Sequence, residues 1–277
     1  MNIVGFVLRT LKRFGVFLFG IAMIGVAYKT VFPYFQHRTP LLLALALTYV
    51  VMAYVCIPFF FRVIRLFWRT DHIPLHTVTP DGFACDPVNL AIIGSRRQLV
   101  GAFKKAGWYE ADPLTVRNII RMALSIVFAQ TYQNAPFSSL YLFGRAQDIG
   151  LQKPVGDNPR RRHHVRFWQV IQPEGDRFVD HVRFWLQHYG TIQPGRNMWV
   201  GAATEDIGVA FIRHNAQFTH AIHADTNAER NFIYKELKKT GHVQSKKTLN
   251  TTKPYRLKNR VGTTMIADGN VWLIELH

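Results

Sequence analysis

The sequence predicts an α+β protein in two parts: an N-terminal two-helix transmembrane hairpin, then a soluble mixed or antiparallel sheet domain with about three helices. Three observations carry this expectation. Residues 1–69 hold eight Lys/Arg and no Asp or Glu around two long apolar stretches, whereas residues 70–277 hold 26 bases and 17 acids. Beyond residue 70 the pattern runs strand, helix, helix, several strands, helix, strand, which suits an α+β layer better than a doubly wound sheet. The 277 residues are 48% hydrophobic and include two cysteines, which excludes a disulfide miniprotein, a collagenous chain and a disordered polymer.

The hairpin helices are expected at about 14–35, with Lys29 snorkelling, and at about 41–62. Residues 41–61 carry no Asp, Glu, Lys, Arg or His. At about 1.5 Å per residue they just cross a hydrocarbon core of about 30 Å. Pro33 and Pro40 bracket the turn. No small-x-small cleavage site follows Tyr28, so the first stretch reads as a retained helix and not a signal peptide. The basic flanks, Arg9, Lys12 and Arg13, then Lys29 and Arg38, then Arg62, Arg65 and Arg69, put both termini on the cytoplasmic side. The domains are therefore 1–70 for the hairpin, 71–86 for a linker containing two prolines and a Pro-Asp-Gly turn, and 87–277 for the soluble domain.

In that domain, residues 88–93 read as a buried strand, followed by Ser95 as the N-cap of a helix with Leu99, Phe103 and Ala106 on one face and Gly107 beyond its end. A second helix is expected over about 113–130, opened by Pro113, with Val116, Ile119, Ile120, Ala123, Ile126 and Val127 as an apolar stripe and Arg117 and Arg121 opposite. Strands follow near 139–143, 165–171, 178–186, 198–203, 209–212, 220–224 and 271–276. They are interrupted by a helix at about 227–240, which Thr226 and Glu229 open at capping-box spacing. No GxGxxG, Walker loop or nucleophile elbow occurs.

Four constellations could carry chemistry. His164-Val-Arg-Phe-Trp168 recurs as His181-Val-Arg-Phe-Trp185 across a turn-rich spacer. If the copies form a hairpin, alternation puts His, Arg and Trp on one face and sets Arg166 opposite Arg183. Opposed like charges destabilise a sheet unless an anion lies between them, and guanidinium forks suit phosphate or carboxylate. The expected anion-binding set is Arg145, His164, Arg166, Trp168 and Arg183. The competing account is another register, or a helical second copy, with solvated faces. His220, His223 and Asp225, with His163 and His164 as remote ligands, offer a zinc- or iron-type donor set. Strand geometry splits His220 from His223, however, and Asp225 has a competing use as a helix cap. The sequence requires no cofactor, and a divalent metal is compatible with it.

Glu205 and Asp206 are candidate acid–base groups at a strand end, although adjacent residues on an extended chain diverge. Residues 235–260 hold nine Lys/Arg against Glu236, a segment that reads as a solvated loop drawn to anionic headgroups at about 1 kcal/mol per base. With Tyr255 as its one aromatic, the segment lacks a stacking series, which disfavours nucleic acid. Cys56 and Cys85 fall on different sides of the second helix's end, so no bridge is implied.

The blocks Pro87-Val-Asn-Leu-Ala with Gly94-Ser, Ala106-Gly-Trp108, Leu140-Tyr-Leu-Phe-Gly-Arg145 with Gln147-Asp148 and Gln152-Lys153, Arg162-His-His-Val-Arg-Phe-Trp168, Trp199-Val-Gly-Ala-Ala-Thr204 and Ala228-Glu-Arg230 together resemble the LssY C-terminal domain family of bacteria over roughly 75–277. Domains of that kind occur joined to membrane proteins, including phosphatidic-acid-phosphatase-type and DedA-type modules. The resemblance implies a bacterial envelope setting and supplies no catalytic residues. Residues 1–70 hold no phosphatase motif. The expected protein is a multi-pass inner-membrane protein with its soluble domain in the cytoplasm. It would bind or process a phosphate-bearing lipid or envelope intermediate, with anionic headgroups or a phosphate-bearing small molecule as ligand. The alternatives are a metal-assisted hydrolase and a non-catalytic assembly module for a membrane transporter or phosphatase.

Overall fold

The computed structural model describes residues 18, 21–36, 40–57, 75–80, 83–128, 130–156, 161–170, 196–212, 217–259 and 261–277. Contacts divide the chain into two compact units, the larger covering Arg69–Ile212 and Phe218–His277. In the smaller unit, α1 (Phe32–Gln36) follows a π-helical turn at Ala27–Val31, and α2 (Leu41–Val51) runs into another at Met52–Cys56. Pro33 lacks an N–H and its ring crowds the turn before it, so a widened turn immediately upstream has a local cause. Pro40 caps α2 in an extended conformation. Among the described residues no helix is long and apolar enough to cross a membrane. The spans expected at about 14–35 and 41–62 each contain a π-turn, and their outer ends lie outside the described residues.

The larger unit is a mixed α+β fold built on an eight-stranded sheet. Its strands are β3 (Leu90–Gly94), β4 (Tyr109–Glu110), β7 (Ile149–Pro154), β8 (Arg162–Gln169), β9 (Asn197–Ile212), β10 (Gln217–Ile222), β11 (Val243–Asn250) and β14 (Asn270–Leu276). They run in the order β11-β14-β3-β9-β8-β7-β4, with β10 on β9. β14 and β3 are parallel and the other ladders along that order antiparallel. A four-stranded sheet combines β1 (His76–Val78), β2 (Ala84–Pro87), β5 (Tyr141–Leu142) and β6 (Arg145–Ala146), and β12 (Tyr255–Lys258) pairs with β13 (Thr264–Ala267). The expected linker therefore contributes two strands: Pro80 lies in the turn that follows β1, and Pro87 closes β2, where no ladder bond is lost.

Both faces of the large sheet are covered, so its central strands read as nearly continuous apolar runs. Val165, Phe167, Trp199, Ala203, Leu90, Ile92 and Ile274 pack under α3 (Arg96–Lys105) and α5 (Thr226–Lys239), while Ala91, Trp168, Met198, Val200, Ala202 and Leu273 pack on the other side. Ser95 and Gln98 form a full capping box at the start of α3, and Gly107 takes the left-handed conformation beyond its end. The long strand β9 fuses the two strands expected at 198–203 and 209–212.

Three local expectations are corrected. The helix expected from Pro113 begins later, as α4 (Val116–Val127), because the Thr115 hydroxyl accepts the Asn118 N–H. Its apolar stripe faces outward, with Val116 75% and Ile120 55% exposed. Asp225, and not Thr226, caps α5, accepting from the Asn227 and Ala228 N–H groups, which frees Glu229 for other work. The basic segment is not a loop throughout: β11 pairs along β14, with Lys246 3.7 Å above the Trp272 ring. Lysines on an edge strand oppose edge-to-edge pairing.

Asn89 ties the unit together. Its amide nitrogen donates to the carbonyls of Ala203 and Thr226, both at 3.0 Å, and its oxygen accepts from the Ala203 N–H. Asn89→Ala removes the partners of the buried Ala203 N–H and carbonyl and the second donor to the Thr226 carbonyl, and is expected to cost about 2 kcal/mol or more, read as a lower midpoint in urea unfolding.

Candidate functional site

Alternation along β8 points Arg162, His164 and Arg166 to one side of the sheet, and alternation along β9 points Thr204 and Asp206 to the same side. Together with Asp86 from β2, Phe137 and Ser138 from the segment before β5, and His220 from β10, the residues Arg162, His164, Arg166 and Asp206 line a cleft of about 80 Å³, with Thr204 beneath His164. Arg162 Nε donates to Asp206 Oδ2 at 2.9 Å and its Nη1 to Gln152 Oε1 at 2.8 Å. Arg166 Nη1 donates to Asp86 Oδ2 at 2.8 Å and its Nη2 to the Ser138 carbonyl. His164 stands between the two acids, its Nε2 3.6 Å from Asp86 and its Nδ1 3.5 Å from Asp206, while Nε2 also meets the Thr204 hydroxyl at 2.8 Å. His220 Nδ1 is 3.7 Å from Asp206 Oδ2.

These groups are buried: Asp86, Asp206, His164, Arg162 and Arg166 are each at most 6% exposed, and the His220 side chain keeps 26%. Phe137 forms the apolar wall, with Arg166 4.5 Å and Arg162 5.5 Å from its ring centre. Its place is reserved by Gly150, where a Cβ would come 2.8 Å from Phe137 Cε2 and nearer still to Cζ. Three buried ring or guanidinium nitrogens, Arg166 Nε, His164 Nδ1 and His220 Nδ1, make no hydrogen bond.

Burial alone would raise the pKa of Asp86, but the adjacent His164 and the Arg166 charge outweigh it and hold the carboxyl below its usual range. Asp206 is likewise pushed up by burial and brought down further by His164, His220 and Arg162. Burial lowers His220, and Arg162 adds to this against the opposing pull of Asp206. Burial raises Cys85 well above the ordinary thiol, so the cleft's sulfur stays protonated. Cys56 and Cys85 are both free.

Of the expected site residues, the structure brings His164, Arg166, His220 and Asp206 to one cleft. The proposed hairpin register is not formed by the first copy, because β7 and β9 already occupy both edges of β8. Arg166 is flanked across the ladders by Gly150 and Ala202. Arg183 and the second copy lie outside the described residues. Arg166 is already matched to Asp86, and Arg145 is matched to Asp148 and to the Gln169 carbonyl, away from the cleft. Trp168 is a core residue, fully buried with its Nε1 donating to the Arg145 carbonyl, and not a binding platform.

The expected metal set also separates. His163 faces the opposite side of β8, where its Nδ1 meets Glu229. His223 folds back on the Asp225 N–H, and Asp225 caps α5. Glu205 pairs with Arg161 on the side away from Asp206. Sequence reasoning missed Asp86, Arg162, Thr204 and Phe137 as site residues. Two signals were present: Asp86 is the one acid in residues 83–109, and carrying the His164–Arg166 alternation two residues back reaches Arg162.

The pH dependence follows from these shifts. His220 and His76, the latter lowered by burial, bind fewer protons folded than unfolded, so stability is expected to fall as pH drops below about 6.5. Asp86 and Asp206 are lowered, and their contribution, complete above about 3.8, is expected to be lost as pH falls through their folded values. Thermal unfolding between pH 8 and pH 3 should therefore show two stages of acid destabilisation, and His220→Ala should shrink the first.

No curated protein and no solved structure matches the chain. The family model for the LssY C-terminus matches residues 70–271, which takes in every strand and helix around the cleft. The chain belongs to the LssY C-terminus family.

Proposed function

We propose that the cleft binds the phosphate group of a phosphate-bearing lipid or cell-envelope intermediate, for recognition or processing at a membrane surface. The observation that carries this reading is the convergence of two arginines and two histidines on one cleft, where Arg166 Nε, His164 Nδ1 and His220 Nδ1 remain without hydrogen bonds. Asp86 and Asp206 already neutralise the two guanidinium groups, so an entering anion is balanced by proton uptake, and His220 is the most accessible imidazole there. The ligand's oxygens would take up the free N–H groups as charge-assisted hydrogen bonds. A cleft of about 80 Å³ admits a phosphate-sized group and leaves the rest of a lipid outside.

The membrane-surface part of the proposal is supported by α4. Val116, Ile119, Ile120, Leu124 and Val127 are each at least 42% exposed, the helix carries Arg117 and Arg121, and it has no acid. A helix with an apolar face and basic flanks suits the headgroup boundary of an anionic bilayer. The acid-free N-terminal quarter, with α1 and α2, would supply the anchor to the inner membrane.

Titration of the full chain with inorganic phosphate tests the cleft. Saturable binding is expected, strengthening by up to about tenfold per unit as pH falls from 8 towards 6.5 and weakening by about tenfold or more in His220→Ala. Phosphate binding that ignores both pH and His220→Ala would discard the proposal. For the surface, Ile120→Trp in bilayer-reconstituted protein should add fluorescence that brominated acyl chains quench. An added signal quenched only by aqueous iodide counts against it.

A further inference from the structure

The side of β8 and β9 turned away from the cleft carries a second group of polar side chains. His163 and Glu205 are register partners across the two strands, and Glu229 reaches them from the start of α5. One ligand-capable atom from each lies within 4.8 Å of the others. Neighbouring ligands of a tetrahedral zinc ion, each at about 2.1 Å, are about 3.4 Å apart, so the three atoms would have to close by at most about 1.4 Å to hold an ion. One imidazole with two carboxylates is a nitrogen–oxygen donor set that suits Zn²⁺ or Mn²⁺.

A second observation is independent of that spacing. Glu229 is 3% exposed and its Oε2 lies 2.8 Å from His163 Nδ1, yet its buried Oε1 makes no hydrogen bond. A buried carboxylate oxygen without a donor is a cost that a bound cation removes. The His163 ring is held by stacking on Phe232 at 4.1 Å and lies 6.4 Å from Trp108, so its direction is set by packing. The Glu205 side chain is 20% exposed and meets Arg161 at 3.3 Å, a surface pairing from which an ion could draw it.

We infer that His163, Glu205 and Glu229 form a divalent-cation site with water in its remaining positions, joining the β8–β9 ladder to α5. The site stands on the opposite face from the phosphate cleft and does not depend on that reading. Isothermal titration of the EDTA-stripped full chain with Zn²⁺, and separately with Mn²⁺, tests it. One equivalent of at least one ion is expected to bind and raise the melting temperature. Glu205→Gln and Glu229→Gln should each weaken that binding by more than about 100-fold, and His220→Ala should leave it unchanged. Glu205→Gln replaces a partly exposed side chain, so it remains readable if Glu229→Gln fails to fold. Absence of binding, binding that persists in Glu205→Gln, or binding lost in His220→Ala would each overturn the assignment.

Discussion

Two buried guanidinium–carboxylate pairs are the constraint around which the larger unit is arranged. Arg162 and Arg166 are 5% and 6% exposed, and burial of that kind is tolerable only with matched charge and filled hydrogen bonds. The matching acids come from elsewhere in the chain: Asp206 from β9, and Asp86 from β2 in the smaller sheet. The Arg166–Asp86 pair therefore fastens the four-stranded sheet to the eight-stranded one, assisted by the bond from Arg166 to the Ser138 carbonyl. Removing one member of such a pair strands the other and costs about 3–5 kcal/mol, so the same contacts that define the cleft also hold its walls together.

The apolar wall obeys a steric constraint of similar force. Phe137 lies against the β7 backbone at Gly150, the residue opposite Arg166 in the ladder, and a side chain there would occupy the ring's place. Gly201, opposite Phe167 on β9, opens the corresponding space on the other face of the sheet. The ring in turn offers its face to both guanidinium groups and lies 5.8 Å from the His164 ring. Cation–π contact in a desolvated place supplements each salt bridge without competing for its hydrogen bonds.

Much of the framework was legible because it is local. Ser95 and Gly107 bracket α3 through capping and left-handed geometry that neighbouring residues dictate, and the 164–168 alternation faces as expected because period two is a property of any strand. What failed was pairing. Nothing local in the twin pentapeptides tells which strands lie beside the first copy; β7 and β9 take both its edges through contacts from 149 to 206. The partner of Arg166 lies 80 residues away at Asp86, a separation that no spacing rule bridges. The fate of α4 was hidden for a different reason. A 3.6-residue stripe says that a face is apolar, not what covers it, and here the stripe looks outward.

The paired arginines also change what an anion site in this fold can be. Two unmatched guanidinium groups would attract any small anion and would cost too much to bury empty; two matched ones are neutral until a proton arrives. The ion pairs fix the direction of the donors in advance, while the charge that would admit a ligand would have to be gained at His220, which burial holds toward its neutral form. Affinity at such a site would be a function of pH and selectivity a function of geometry, because the donors left over, Arg166 Nε among them, are few and fixed in direction. The same ladder that positions them carries His163 and Glu205 on its reverse, at the positions adjoining His164 and Asp206. The two faces share one backbone, so ligands on both would have to accept the same strand geometry.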